Sequence, residues 1–308
     1  MAMGATQEHL IWLRVLFSIA LSIGIAYHGY YSRSLTRSGA ALGSVVGVII
    51  FFCGTAFGTI LIAFFLSSSR ITKYKYKSKV KRLHQTNIRG GSRNWSHVFA
   101  SSVTAILVVL LYYSTYGIHT KFFMGKEQRY RTRLMCAYIG HFACCTGDTW
   151  ASELGVLEQA MPVLITKCRR VPQGTNGAMS MSGTIASILG GAFIGAVYYF
   201  MSAQDAGKER GPNDAEIPPQ WPIILLGACA GFLGSLVDSI LGSLFQYSGW
   251  AASRQVIVQR PEKGAKHISG MDLLTNNQVN FLSAFATSVA CGWFAPAFFD
   301  YFHETART

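Results

Sequence analysis

Seven apolar runs, at residues 10–28, 39–66, 95–116, 134–155, 183–202, 221–246 and 279–301, divide this chain into hydrophobic blocks and short polar connections. A helix needs about 20 apolar residues to cross the hydrocarbon core of a bilayer. In lipid, backbone amides must pair within their own segment, which makes helices the form such runs take. Only 13% of the residues are charged, against about 25% in a soluble domain, and no connection is long enough to build a separate domain. The expectation is one all-α integral-membrane domain over residues 1–308, a polytopic transmembrane bundle of about seven spans with broken or re-entrant helices, and the lipid bilayer as its first partner. The first run has no basic segment before it and no small-residue cleavage site, so it reads as a retained span rather than a signal peptide.

The second run is too long for one straight span: 28 residues of helix extend about 42 Å, against a hydrocarbon core of about 30 Å. It must tilt, or break near Gly54-Thr55-Ala56-Phe57-Gly58. Gly39, Gly43 and Gly47 open it at i+4 spacing, which suits close helix contact.

The formal charge of +13 raises nucleic acid as a partner, but the location of the charge argues against it. Arg70, Lys73, Lys75, Lys77, Lys79, Lys81, Arg82, Arg89 and Arg93 crowd one connection that holds no acid between Ser67 and Asn94. Such a loop fits the cytoplasmic headgroup face. The loop 203–220, with Asp205, Glu209, Asp214 and Glu216, fits the opposite face, and loops 156–182 and 247–278 then share the basic side. One segment disagrees: 117–133 falls on the far side by count yet carries Lys121, Lys126, Arg129, Arg131 and Arg133, so a span is miscounted or part of the chain is re-entrant. The seven cysteines form no CxxC pair and read as small core residues. The scattered histidines, His141 among them, have no metal-ligand spacing.

Three acids lie inside apolar runs: Asp148 and Glu153 in the fourth, and Asp238 in the sixth. Each costs about 2.5–3.5 kcal/mol on insertion scales, so such groups face a bundle interior or a wet cavity and have a partner. Thr149, Ser152 and Ser239 add hydroxyl oxygens beside them, a donor set suited to a hard cation. Pairing with buried arginines, or proton and ion coupling in a transporter, are the other readings. Asp148 and Glu153 are five apart, so they diverge around a regular helix and cannot both ligate one ion from it. A faint echo links Gly147-Asp148-Thr149, Ser152 and Gly155 with Asp238-Ser239 and Gly242, the weak symmetry of a repeat.

Two glycine-bearing loops can meet an anion. Arg169-Arg170-Val171-Pro172-Gln173-Gly174-Thr175-Asn176-Gly177 precedes Ser180 and a helix start, where backbone amides and arginines can hold phosphate, or form a flexible turn with arginines at the membrane surface; it contains no GxxxxGK[ST] and is not a P-loop. Gly90-Gly91-Ser92-Arg93-Asn94-Trp95 offers Arg93 and an interfacial tryptophan. Asn276, Asn277 and Asn280 enter the last span, as helix caps or as ligand contacts.

In combination and order these runs resemble the transmembrane protein 19 family, which also contains the plant phytyl-phosphate kinases. The resemblance runs from Ser34 onward and rests on Ser38-Gly39-Ala40, Gly90-Gly91 with Arg93-Asn94-Trp95, residues 147–155, Arg170-Val171-Pro172 with Gly174-Thr175-Asn176-Gly177, Gly234-Ser235 with Asp238-Ser239, and Asn276-Asn277 with Asn280. It implies a membrane enzyme that phosphorylates an isoprenyl monophosphate to the diphosphate, with CTP as donor. Asp148, Glu153 and Asp238 would hold Mg²⁺, with Thr149, Ser152 and Ser239 beside them. Arg93, Asn94, Arg170, Gly174, Thr175, Asn176, Gly177, Ser180, Asn276, Asn277 and Asn280 would contact phosphates. No plastid transit peptide is visible, so farnesyl or geranylgeranyl phosphate and the endoplasmic reticulum are the expected acceptor and location; a homodimer stays open. A transporter for a phosphorylated lipid or anion, or a non-catalytic membrane partner, are the alternatives.

Overall fold

The computed structural model describes residues 2–83, 91–117, 129–208 and 220–305. Five of its helices are long and apolar enough to cross a membrane: Ile11–Tyr31, Thr55–Lys73, Met181–Ser202, Pro222–Phe245 and Asn276–Phe302. They belong to α1 (Ala2–Tyr31), α3 (Thr55–Lys73), α8 (Met181–Lys208), α9 (Pro222–Phe245) and α10 (Asn276–Thr305). Four shorter helices are α2 (Arg37–Cys53), α4 (Tyr76–Leu83), α5 (Trp95–Ala100) and α6 (Val103–Tyr116).

The centre of the bundle is α7 (Arg129–Gly155), which packs against α3, α6, α8, α9 and α10. It is less apolar than the five above, yet it is buried almost continuously from Arg131 to Gly147. Its neighbours carry the lipid-facing surface, so its own polar residues meet protein, as intramembrane polar groups require. Glycines allow the helices to close on it. A Cβ on Gly147 would stand 2.8 Å from Gly231 Cα and from the Ser187 carbonyl oxygen, and one on Gly191 would lie 2.8 Å from Gly231 Cα. The α7, α8 and α9 backbones therefore touch directly, the small-residue packing of membrane helices.

The long second run does break, at Gly54. The chain reverses there, and α2 and α3 form an antiparallel hairpin whose two outer ends lie on one side. Leu35, just before α2, pairs with Arg93, and Lys73 at the end of α3 donates to the Ser32 carbonyl at 2.5 Å. Of the two outcomes expected for this run, tilt or break, the structure shows the break, and the run is a helix pair. It returns the connection 32–36 to the same face as residues 91–95. The basic segment that disagreed with the topology is also accounted for in part. Arg129 pairs with Asp300 at 2.9 Å, Arg131 donates to Tyr112 Oη at 2.8 Å, and Arg133 lies over the Trp293 ring. Arg131 is thus buried within the bundle, whereas Arg129 and Arg133 pair at its exposed surface. Lys121 and Lys126, the side chains of Lys81 and Arg82, Arg89, and the acidic loop residues Glu209, Arg210, Asp214 and Glu216 lie outside the described residues, as does the side chain of Asp205.

Two small sheets depart from the purely helical expectation. β1 (Val163–Leu164), β2 (Arg169–Arg170) and β3 (Ala178–Met179) fill the connection from α7 to α8; β4 (Ser248–Ala251), β5 (Val256–Val258) and β6 (Ala265–Ser269) fill that from α9 to α10. Both are antiparallel with the first strand in the middle, orders β2-β1-β3 and β5-β4-β6. The correspondence extends to single residues. A left-handed non-glycine residue precedes each second strand (Cys168, φ 46°; Gln255, φ 53°), and a left-handed glycine precedes each third (Gly177, φ 73°; Gly264, φ 86°). Asp148 and Asp238 each stand seven residues before their helix ends, at Gly155 and Phe245. The unit helix–sheet–helix occurs twice, in the same orientation, and the faint sequence echo is its trace.

Candidate functional site

A cavity of about 580 Å³ opens at the end of the bundle where α7 and α9 finish and α5, α8 and α10 begin. That volume suits a substrate-sized ligand. Its walls bring together Arg93, Asn94, Asp148, Thr149, Ser152, Glu153, Gly174, Thr175, Asn176, Gly177, Ser180, Asp238, Ser239, Asn276, Asn277 and Asn280. Residues up to 187 positions apart in sequence thus line one space, which follows from the repeat placing two acid-bearing helices side by side.

Asp148 and Asp238 form its floor. Asp148 accepts a hydrogen bond from Ser235, and the two carboxylates are near enough for each to feel the other's charge. Ser283 Oγ donates to Asp238 Oδ2 at 3.1 Å, and the Asn280 amide is placed to donate to the same oxygen at 3.2 Å. Thr149 and Ser152 turn their hydroxyl hydrogens back to helix carbonyls, of Cys145 at 2.8 Å and Thr149 at 3.1 Å. They retain oxygen lone pairs for a ligand.

Glu153 stands apart from that pair. The regular helix turns it away from Asp148, and Lys79 Nζ on α4 donates to its Oε2 at 2.6 Å. Lys79 also donates to the Ile71 and Thr72 carbonyls at 2.8 and 3.1 Å, so all three of its donors are engaged and the ammonium ties α4 to the end of α3. Glu153, expected as a metal ligand, is placed by the structure in an ion pair at the cavity rim. Among the described residues no group of three His, Cys, Asp or Glu is arranged to hold a metal. An ion here would rest on Asp148 and Asp238, with hydroxyl and amide oxygens and the ligand's own phosphates completing its shell. Mg²⁺ fits such a set, since it commonly takes one or two carboxylates plus phosphate oxygens.

The Gly174–Gly177 turn forms the opposite wall. Both glycines have positive φ, 87° and 73°, and a Cβ on Gly177 would overlap the Ser239 carbonyl and Ser243. Thr175 Oγ1 donates to the Pro172 carbonyl at 2.7 Å, and Asn176 Nδ2 donates to the Tyr247 carbonyl at 3.0 Å and to Gln259. These side chains hold the turn and join the two sheets, and the Thr175 and Asn176 amides are themselves taken by the Pro172 carbonyl and Ser248 Oγ, so what the turn offers the cavity is its backbone at Gly174 and Gly177. Ser180 Oγ accepts from the Gly183 amide at 3.2 Å and caps α8. Asn276 and Asn277, the first residues of α10, line the cavity, and a helix N-terminus favours anions, whereas the first amides of α8 are already taken by Glu158 and Ser180.

Arg93 is held by its backbone. Its N–H donates to the Ser34 carbonyl at 2.9 Å, its carbonyl accepts from the Thr36 amide at 3.0 Å, and Gly39 has no Cβ to obstruct that approach. Its guanidinium lies 5.5 Å from the Phe64 ring centre and within electrostatic range of Glu153. Asn94 Oδ1 caps α5 by accepting from the His97 amide at 3.1 Å, and Asn277 Nδ2 donates to Ser96 Oγ at 2.9 Å. Arg170 is not in the cavity: it sits on β2, exposed. A two-residue strand puts it on the outer edge of the sheet, while the turn that follows bends inward. Sequence reasoning had passed over Lys79, one cation among many in its loop, and His97. It had also given no role to Ser235 and Ser283, although Ser283 stands at i+3 from Asn280.

No solved structure matches this chain. Protein PGR of Arabidopsis thaliana is 38% identical over 275 residues, covering 89% of this chain and 94% of that protein. An uncharacterized membrane protein of Methanocaldococcus jannaschii is 29% identical over 246 residues, 79% and 87% of the two chains. A protein of Arabidopsis thaliana named VTE6, chloroplastic, is 27% identical over 213 residues, 69% of this chain and 56% of that protein. The family described as integral membrane protein DUF92 matches residues 20–288, all but the chain's ends, and this multi-pass membrane protein belongs to it.

Proposed function

We propose that the chain is a membrane-embedded lipid-phosphate kinase, transferring the γ-phosphoryl group of a nucleoside triphosphate, CTP, to an isoprenyl monophosphate. The observation that carries this reading is the facing of two half-buried carboxylates, Asp148 and Asp238, with a left-handed glycine turn and the N-terminus of α10 across one cavity. Carboxylates alone repel phosphate, so this juxtaposition calls for a cation between them. Bound Mg²⁺ on Asp148 and Asp238 would neutralise charge on the transferring phosphoryl group. The turn's backbone at Gly174 and Gly177 and the start of α10 hold the donor phosphates. Arg93 holds the acceptor phosphate.

An acceptor phosphate oxygen attacks the γ-phosphorus as the bond to the β–γ bridging oxygen breaks. The products are the isoprenyl diphosphate and a nucleoside diphosphate. The acceptor is already anionic, so no general base is required, and positioning with charge neutralisation carries the catalysis. An endomembrane, the endoplasmic reticulum, is the proposed location, to be read by imaging a tagged chain. Purified protein is incubated with farnesyl or geranylgeranyl monophosphate, Mg²⁺ and each nucleoside triphosphate in turn. Diphosphate product is expected, with Asp148→Asn and Asp238→Asn each slowing it by about 10²–10³-fold. No product with any donor, alongside lipid-phosphate flux in proteoliposomes, replaces the kinase with a transporter.

A further inference from the structure

A second cleft lies beside the polar cavity, and its lining is nearly all apolar. Ala26 of α1, Leu35, Gly43 and Phe51 of the α2 segment, and Leu61 and Phe64 of α3 form its walls; its volume is about 80 Å³. Arg93 lines both this cleft and the polar cavity. Among the described residues its Nη1 is buried without a hydrogen-bond partner, while Phe64, a wall of the cleft, lies under the guanidinium. An unpaired buried donor on a cation is costly, and a ligand anion satisfies it. The site therefore has a charged gate with an apolar slot on one side and a phosphate-holding chamber on the other.

We infer that this cleft receives the head-proximal part of the acceptor's hydrocarbon chain, with its phosphate on Arg93. The inference rests on the lipid-phosphate kinase reading and names how that site recognises its acceptor. The cleft is too small for a whole isoprenyl chain. It takes the first unit, and the rest lies in the bilayer alongside α1, the outermost helix, whose packing is on α2. Recognition is thus of a single slim chain bearing a phosphate and not of chain length. Diacyl lipids, whose two chains branch at the headgroup, do not fit.

Gly43 supplies the means of testing this, because a Cβ there would meet only Leu35 Cδ1 at 3.9 Å, so the cleft can be filled from this position without disturbing backbone. Ile62, also in the lining, offers a second variant on the facing helix. The protein in nanodiscs is irradiated with farnesyl and geranylgeranyl monophosphate analogues carrying a diazirine on the first isoprene unit, and labelled peptides are mapped by mass spectrometry. Both analogues are expected to label residues 22–26, 43–51 and 61–65 equally, with competition by unlabelled isoprenyl phosphate and none by the chain without phosphate. Gly43→Phe and Ile62→Trp, each checked for an unchanged melting temperature, are expected to lower labelling about tenfold or more by excluding one buried unit. Cleft labelling without diphosphate formation from any nucleotide upholds the binding site and removes the kinase reading. Labelling confined to α8–α10, or undiminished in both variants, overturns the cleft even where turnover is intact.

Discussion

Lys79 shows how far a single residue's environment can depart from its sequence neighbourhood. It comes from a run of cations, yet its ammonium is 6% exposed and paired with Glu153, itself 25% exposed. Removing one partner of a buried pair leaves the other charge uncompensated, at up to about 3–5 kcal/mol when burial is complete. With Glu153 partly exposed, Lys79→Met is expected to cost about 2–3 kcal/mol, and the double change with Glu153→Gln to restore most of it; thermal unfolding in detergent of the single and double variants reads this. Glu158, beyond the end of α7, accepts from Ser182 Oγ at 2.7 Å and from the Ser182 amide at 2.8 Å, which holds its carboxyl below the usual carboxylate range. Its folded pKa is depressed, so its contribution is complete above about pH 4.3 and is lost as pH falls through the lower folded value. Amide exchange across 156–182 is expected to be faster in Glu158→Gln than in the parent at pH 7, with the difference closing below about pH 4. Asp148 and Asp238 were legible in the sequence because an acid in an apolar run has an energetic cost that demands a reason. Lys79 was not, since nothing local separates it from Lys75 or Lys77. Arg170 misled because its place beside the glycine turn in sequence says nothing about which way a two-residue strand faces.

Among the elements, the glycine contacts of α7, α8 and α9 are the most exacting. A Cβ on Gly231 would stand 2.8 Å from Gly191 Cα and 2.9 Å from its nitrogen, backbone atoms that cannot move aside alone. Gly231→Ala is expected to destabilise by about 1–3 kcal/mol through forced helix separation. Gly24→Ala in α1 has nothing within 4 Å and is expected to be neutral or to gain up to about 1 kcal/mol from helix propensity; melting temperatures of the two variants in one detergent give the comparison. The helices themselves were readable from apolar length, and the break at Gly54 from the excess of that length over bilayer thickness. The reversal of direction was not, because length alone does not distinguish a kinked span from a hairpin. The two sheets left no signal either. Strands of two to five residues are too short for an alternating pattern to stand out from a polar loop.

Seen whole, the molecule gathers its chemistry at one end. The connections after α1, α3, α7 and α9 meet there, joined by Asn176 to Tyr247 and Ser248, and by Lys167 and Arg169 to the Ile268 carbonyl. Charge counting placed the loops 67–94, 156–182 and 247–278 on a shared side, and the contacts agree. Cys168 is exposed at that end, whereas Cys53, Cys136 and Cys144 are buried. In sealed vesicles of known orientation, a membrane-impermeant maleimide is expected to modify Cys168 from the cytoplasmic side only. Modification from the other side alone would invert the topology.

The doubled helix–sheet–helix unit has one more consequence. Two copies of the unit run in the same direction, and each contributes one acid to a site that neither contains alone. Neither half of the chain holds both acids, so the site exists only where the two units are brought together. The join falls between α8 and α9. A chain severed between residues 208 and 220, supplied as two co-expressed pieces, is expected to reassemble and retain the site, with co-purification of the pieces through a tag on one of them as the readout. The two turns are unequal: Gly177 is packed against α9, whereas a Cβ on Gly264 would meet nothing within 4 Å.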